Sequence, residues 1–273
     1  MHAEDSAQMV VAIDGPSGSG KSTVARGVAA SLGFGYLDTG ATYRAVTWLV
    51  LGAGLPLGSL ADETERLSML LAASDLVVGT TPGDRQVRIG GHDVTEVIRG
   101  PEVTAAVSAV AATTAVRAHL SKLQRSLAAQ AIAARGGIVV EGRDIGTVIF
   151  PDARLKVWLT ASAEARGRRR AAEHSEGAQL EESAIEGAVE QLARRDGLDS
   201  ARALSPLHCA EDAHVIDTTP LSADEVIDAV LALWNTVELP DAAAAHPQRD
   251  HLPQHDHPPQ HDNLQDSATG ATR

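Results

Sequence analysis

Apolar residues in this chain fall into short unbroken runs separated by stretches of helical period. Val10-Val11-Ala12-Ile13 is one such run, ending at Asp14-Gly15, and it predicts a buried strand over 10–13. Beyond a glycine-rich loop, Val24, Val28, Ala29 and Leu32 recur at helical spacing, and Gly33 closes that helix. Further strands are predicted at 34–37, 138–140, 155–159 and 214–216. Helices are predicted over 43–51, over 101–134 with a break at Thr113-Thr114, through the arginines near 166–170, and over 184–195. Ser222 and Glu225 form a capping box opening a last helix that runs to Trp234.

Between 74 and 98 the period changes. Short apolar segments at 76–78, 86–89 and 94–98 are separated by TTPGD and GGHD, turn signals at hairpin spacing, which predict a small antiparallel insertion. The rest alternates strand and helix, the signature of a parallel sheet covered on both faces. Ligands on such sheets sit at the carboxyl ends of the strands. Gly15, Asp38 and Glu141 each follow a predicted strand, so their motifs are expected to converge on one crevice.

Composition narrows the class. The 273 residues are 44% hydrophobic and 22% charged, enough to bury an ordinary core. No apolar run reaches the roughly 18–20 residues of a membrane span, and residues 1–8 are polar and acidic, unlike a signal peptide. Cys209 stands alone, so no internal disulfide is expected, as in a reducing cytoplasm. A net charge of −13 argues against general binding to nucleic acid or membrane surfaces. Only Lys21, Lys122 and Lys156 are lysines, a ratio that compositional bias of the source genome explains. The clustering of Arg166, Arg168, Arg169 and Arg170, then of Arg194, Arg195 and Arg202, reads instead as a local anion site, since guanidinium forks suit phosphate oxygens. Residues 240–273 carry an imperfect HPQRDH, LPQHDH, PPQHD repeat with almost no apolar content, the pattern of a disordered tail. Its histidines are common metal ligands, but their spacing is not that of a fixed site.

Gly15-Pro16-Ser17-Gly18-Ser19-Gly20-Lys21-Ser22 satisfies G-x-x-x-x-G-K-[ST], between a predicted strand and a predicted helix. Such glycines let successive backbone N–H groups face phosphate oxygens at a helix N-terminus. Residues 15–23, through Thr23, are therefore expected to hold a nucleoside triphosphate. Lys21 would reach the β- and γ-phosphates, and the Ser22 hydroxyl would ligate Mg²⁺. No N-K-x-D guanine signature is present.

Four separated motifs agree in order and spacing: GPSGSGKST, DTGATYRA (38–45), EGRDIGTVIFPDA (141–153) and RDGLDSARALSPL (195–207). Together they resemble the bacterial cytidylate kinases, P-loop nucleoside monophosphate kinases that move the γ-phosphoryl of ATP onto CMP or dCMP. The resemblance runs from about Met9 to Trp234. It implies an α/β P-loop NTPase fold of three layers around a five-stranded parallel sheet, with a small antiparallel acceptor-binding insertion and a helical lid. The implied boundaries are a kinase domain over 9–239 with core 9–60 and 101–239, an insertion at about 61–100 and a lid at about 166–190. The P-loop leads to an expectation of Mg²⁺ bound with ATP, the acidic charge to no nucleic-acid or membrane partner, and a small monophosphate kinase, which needs no partner to complete its site, to a monomer.

Residue by residue, the resemblance implies that Thr39 and Arg44 contact the acceptor phosphate and that Ser108 and Arg117 lie near the cytosine. Arg143 and Asp144 would meet the phosphate and the base, and Asp199 and Arg202 the ribose and phosphate. Arg166, Arg169 and Arg170 would lie in the lid over ATP, behind which the polar stretch 173–182 reads as mobile. The implied catalytic set is Lys21, Arg143, Arg202, Arg166 and Arg170. Thr39 stands where some members have serine and keeps the hydroxyl. Gly197-Leu198 stands where some have charged residues, which puts an auxiliary phosphate contact in doubt. A kinase for hydroxyl acceptors would need a general base and gives no reason for so many acceptor-side arginines. A module that only senses ATP has no use for the acceptor residues.

Overall fold

The computed structural model describes residues 9–173 and 181–237. Residues 1–8, the 174–180 part of the expected lid and mobile stretch, and the 240–273 tail lie outside the described residues.

Five strands form one parallel sheet: β1 (Val10–Asp14), β2 (Gly35–Asp38), β6 (Ile138–Glu141), β7 (Leu155–Thr160) and β8 (His214–Asp217), in the order β2-β6-β1-β7-β8. All four pairings are parallel, with Ile13 beside Glu141 and Asp38 beside Glu141, so the strand ends carrying the motifs are adjacent. Alternation along β1 sends Val10 and Ala12 to one face and Val11 and Ile13 to the other. On the second face α1 (Lys21–Leu32) and α8 (Ala223–Thr236) pack through Val24, Val28, Val226 and Val230. On the first lie α2 (Thr39–Gly52) and α5 (Thr114–Arg135), through Ala41, Ala45, Ala128 and Ile132. Each fully buried valine or isoleucine contributes about 1.5–3 kcal/mol by leaving water. The fold is the expected three-layer α/β arrangement.

A third cluster joins α2 to α3 (Thr64–Ala72), α4 (Pro101–Ala111) and α5 through Val50, Leu67, Val107 and Leu120. Among the described residues no single helix is long and apolar enough to cross a membrane. The helix predicted over 101–134 does break where expected, and α4 and α5 meet at 98°. The capping box of Ser222 and Glu225 is present at α8, and Gly33 closes α1 at φ 70°.

Some boundaries differ from the sequence expectations for local reasons. The helix expected from 43 starts at Thr39, because Asp38 Oδ1 accepts the Ala41 N–H at 2.9 Å and caps it. The helix expected over 184–195 is α7 (Glu182–Ser200), which extends to carry Asp199, and the arginine helix is α6 (Ala163–Ala172). The antiparallel sheet forms from β3 (Leu76–Val78), β4 (Val87–Ile89) and β5 (His92–Asp93). Its third strand is not at 94–98. Gly90 and Gly91 both take positive φ, 54° and 81°, making a two-residue hairpin that puts His92 opposite Ile89. Thr95 then spends its hydroxyl on the Val87 N–H, and a 3₁₀ turn follows at Val97–Arg99.

Candidate active site

The phosphate loop runs from the end of β1 to α1 and is held from behind. Gly15 takes φ 146°, and a Cβ there would stand 2.0 Å from the Leu159 carbonyl oxygen, so no other residue fits. Gly18 and Gly20 are also at positive φ, 77° and 90°. The Lys21 ammonium is buried and donates to the Pro16 carbonyl at 2.6 Å. Burial holds its pKa well below that of an ordinary lysine, and the Arg143 charge pushes the same way, against Glu141. Ser22 Oγ donates to Glu141 Oε2 at 2.9 Å, while Tyr36 Oη donates to Glu141 Oε1 at 2.5 Å. The Glu141 carboxyl is raised in pKa by burial and then by Asp38.

A cleft of about 350 Å³ opens in front of this loop. Ser17, Gly18, Lys21, Ser22 and Thr23 line its loop side. Gly15, Pro16, Ser19 and Gly20 form the back of the loop and do not line it. The expected acceptor residues line the opposite side: Thr39, Arg44, Ser108 and Arg117, with Arg143, Asp144, Asp199 and Arg202. Thr39 Oγ1 donates to the Glu141 carbonyl at 2.6 Å, and Arg44 Nη1 to Thr104 Oγ1 at 2.9 Å. Arg117 and Asp144 form a buried ion pair beneath which the Tyr43 ring lies, 5.4 Å from the guanidinium. Asp199 accepts from Ser108 Oγ at 3.2 Å and from Arg143 Nε at 3.4 Å, and pairs with Arg202 at 3.8 Å. Arg143 also reaches across the cleft and donates through Nη2 to Ser17 Oγ at 2.6 Å.

The α6 arginines divide. Arg170 lines the cleft and pairs with Glu173 at 2.7 Å. Arg166 does not line it: its Nη1 donates to the Ser17 carbonyl at 3.0 Å and pairs with Asp196, which accepts the Ser17 N–H. Arg169 is turned onto Thr218, whose hydroxyl donates to the Ser19 carbonyl, so it braces the phosphate loop. The sequence placed Arg195 only in a general anion site and Glu141 only at the expected crevice, and passed over Tyr43; all three line the cleft. Arg195 had a signal: Leu192, Arg195, Asp199 and Arg202 recur three or four apart and all face the cleft.

Burial, then the neighbouring arginines, lower the pKa of Arg195 to about 9, whereas Arg44 falls to about 10 chiefly by burial. So many cations crowded out of water form a site that an anion of several charges relieves. Among the described residues no group of three His, Cys, Asp or Glu side chains could hold a metal by itself. Ser22 and Glu141 offer a hydroxyl and a carboxylate oxygen side by side, a donor set that fits Mg²⁺ shared with phosphates.

A family model described as cytidylate kinase matches residues 11–236. The chain belongs to the cytidylate kinase family. It is 48% identical over 225 residues to a cytidylate kinase of Streptomyces griseus subsp. griseus, covering 82% of this chain and 92% of that one. It is 49% identical over 227 residues to a cytidylate kinase of Rhodococcus opacus, covering 82% and 93%. A bifunctional pantoate ligase/cytidylate kinase of Synechococcus sp. is 48% identical over 87% of this chain and 42% of that longer protein. The four motifs that carried the resemblance all fall inside the residues the cytidylate kinase model covers.

Proposed function

We propose that this chain transfers the γ-phosphoryl group of ATP to CMP or dCMP, giving ADP and CDP or dCDP. The observation that carries the reading is the two-sided cleft, with a phosphate loop on one wall and Arg143 reaching from the acceptor wall to Ser17. A phosphate acceptor has its second pKa near about 6, so at neutral pH it attacks without a general base. The task left to the protein is to bring two anions into line. Arg44, Arg143 and Arg202 neutralise the acceptor, and Lys21 neutralises the donor. Ser22 and Glu141 would hold Mg²⁺, which when bound with ATP adds positive charge at the phosphates.

An arginine on the transferring group accelerates phosphoryl transfer by about 10³–10⁵ in related systems. Arg170, already at the cleft, is the α6 arginine we assign that role, with Arg166 turning from Asp196 as the cleft fills. The exocyclic amine of cytosine donates to Asp144, whose Oδ2 is engaged by Arg117 while Oδ1 remains to accept. Uracil places a carbonyl oxygen there instead, and a site built round such a bond rejects the wrong analogue by up to about 10⁴-fold. Ser108 and Asp199 hold the ribose. The reading extends to a monomeric, cytoplasmic enzyme, supported by its lone cysteine and by a site assembled within one chain.

The test is ADP release with Mg²⁺-ATP against CMP, dCMP, UMP, AMP, GMP and shikimate. Turnover with CMP and dCMP well above the others supports the reading. ATP binding with no turnover on any acceptor overturns it.

A further inference from the structure

The segment directly after Asp144 is a short π-helical turn, Ile145–Ile149, an uncommon geometry that recurs at functional sites. It is clamped at both ends from outside. Asp14, the last residue of β1, is buried, and its two carboxylate oxygens accept the N–H groups of Ile145 at 2.9 Å and Gly146 at 2.7 Å. At the far end Arg125 of α5 donates to the carbonyls of Ile149 at 3.0 Å and Val148 at 2.9 Å. Inside the turn the Asp144 carbonyl accepts from Val148 and Ile149. Gly146 packs closely, since a Cβ there would press on the Lys156 side chain at 3.1 Å and touch Asp14 Oδ2 at 3.5 Å.

Asp14 itself does not line the cleft. Both of its oxygens are committed to the two residues that follow Asp144, and β1 leads straight from Asp14 into the phosphate loop. From this geometry we infer that Asp14 is a positioning residue for the acceptor: it fixes the π-turn, and through it the aim of Asp144 at the nucleobase. Arg125 is its counterpart at the other end of the turn. The inference rests on the proposed reading of Asp144 as the group that recognises cytosine. A carboxylate suits the role because it accepts two hydrogen bonds from adjacent amides with one rigid group. The isosteric amide in Asp14→Asn keeps the volume but sets an NH₂ against one of those two N–H groups.

The test compares wild type with Asp14→Asn and Arg125→Gln in steady-state kinetics with CMP and UMP, alongside amide hydrogen exchange at 145–149. In Asp14→Asn the KM for CMP rises by about tenfold or more and the CMP-to-UMP ratio of kcat/KM falls by a similar factor, as expected of a displaced binding group. The KM for ATP stays within about twofold, and exchange at 145–149 quickens. Arg125→Gln moves the same parameters in the same direction by a smaller factor, and it alone decides the matter if Asp14→Asn does not fold. Loss of thermal stability with the CMP KM and the CMP-to-UMP ratio unchanged overturns the assignment, as does a KM increase confined to ATP. Those outcomes leave the kinase reading intact. Wild-type protein that does not turn over CMP removes the functional reading first and this inference with it.

Discussion

Arg143 Nη2 lies 2.6 Å from Ser17 Oγ, so a side chain from the end of β6 touches the phosphate loop from across the cleft. The same guanidinium reaches Asp199 on α7 through Nε at 3.4 Å. One planar fork thus bridges the phosphate loop and α7 across the cleft. Lysine carries the charge but not the fork. Arg143→Lys is expected to lower kcat by about 10²–10³, the loss seen when one preorganised donor leaves a reacting anion. Steady-state kinetics with saturating CMP checks it, with thermal unfolding showing that the fold is kept.

Asp144 and Arg117 are each about nine-tenths buried and neutralise one another. Asp144→Ala strands a buried guanidinium and is expected to cost about 3–5 kcal/mol, whereas Arg117→Met with Asp144→Leu costs less than Asp144→Ala alone. Urea unfolding measures both. Kinetically, Asp144→Ala loses CMP activity far more than UMP activity. Equal loss with both acceptors would show that the carboxylate does not read the base.

The Asp14 carboxyl gives a pH dependence whose sign is opposite to that of an ordinary ion-paired aspartate. Burial raises its pKa from 3.8 to about 6, opposed by the Gly146 and Ile145 N–H groups and by Lys21, and aided by Asp144. The unfolded chain releases this proton near 3.8 and the folded one near 6. Between those values the folded state holds more protons, so this group's contribution to stability falls as pH rises, by about 3 kcal/mol in all. Asp14→Asn removes that slope. Urea unfolding from pH 4 to pH 7 should show wild type losing stability relative to the variant across this window and no further above it.

Two glycines of the phosphate loop separate steric need from backbone need. A Cβ at Gly15 would overlap the Leu159 carbonyl at 2.0 Å, while at Gly20 it would meet nothing within 4 Å, though φ is 90°. Gly20→Ala is expected to cost about 1 kcal/mol or a little more from the left-handed backbone alone. Gly15→Ala must displace β7 or the loop, and is expected to cost at least about 3 kcal/mol. Melting curves of the two variants give the order.

Much of this was legible from spacing alone. The apolar runs gave all five parallel strands: β1, β2, β6 and β7 are largely buried and read as near-continuous apolar runs, while the mostly exposed edge strand β8 showed only through Val215-Ile216. Thr64–Ala72 was not anticipated: it buries only Leu67 and Leu71 on one side, too thin a stripe to announce a helix. The third hairpin strand was misplaced because the Gly90-Gly91 turn, not the apolar run after it, sets the register. Every expected acceptor residue lines the cleft: six sit in the quoted motifs, whereas Ser108 of α4 and Arg117 of α5 were named only through the family resemblance. Arg166 and Arg169 escaped expectation, as their partners Asp196 and Thr218 come from distant parts of the chain. Asp14 was overlooked for the same reason: its partners at 145 and 146 are visible only once β1 and β6 are side by side.

The central claim is that phosphate passes between two nucleotides in one cleft. Incubation with Mg²⁺ and ATP labelled at the γ-phosphoryl, in the presence of CMP and separately of UMP, followed by separation of the products, tests it most directly. The account predicts label in CDP, formed mole for mole with ADP, and much less in UDP. Label appearing only as inorganic phosphate, or remaining in ATP, would contradict it.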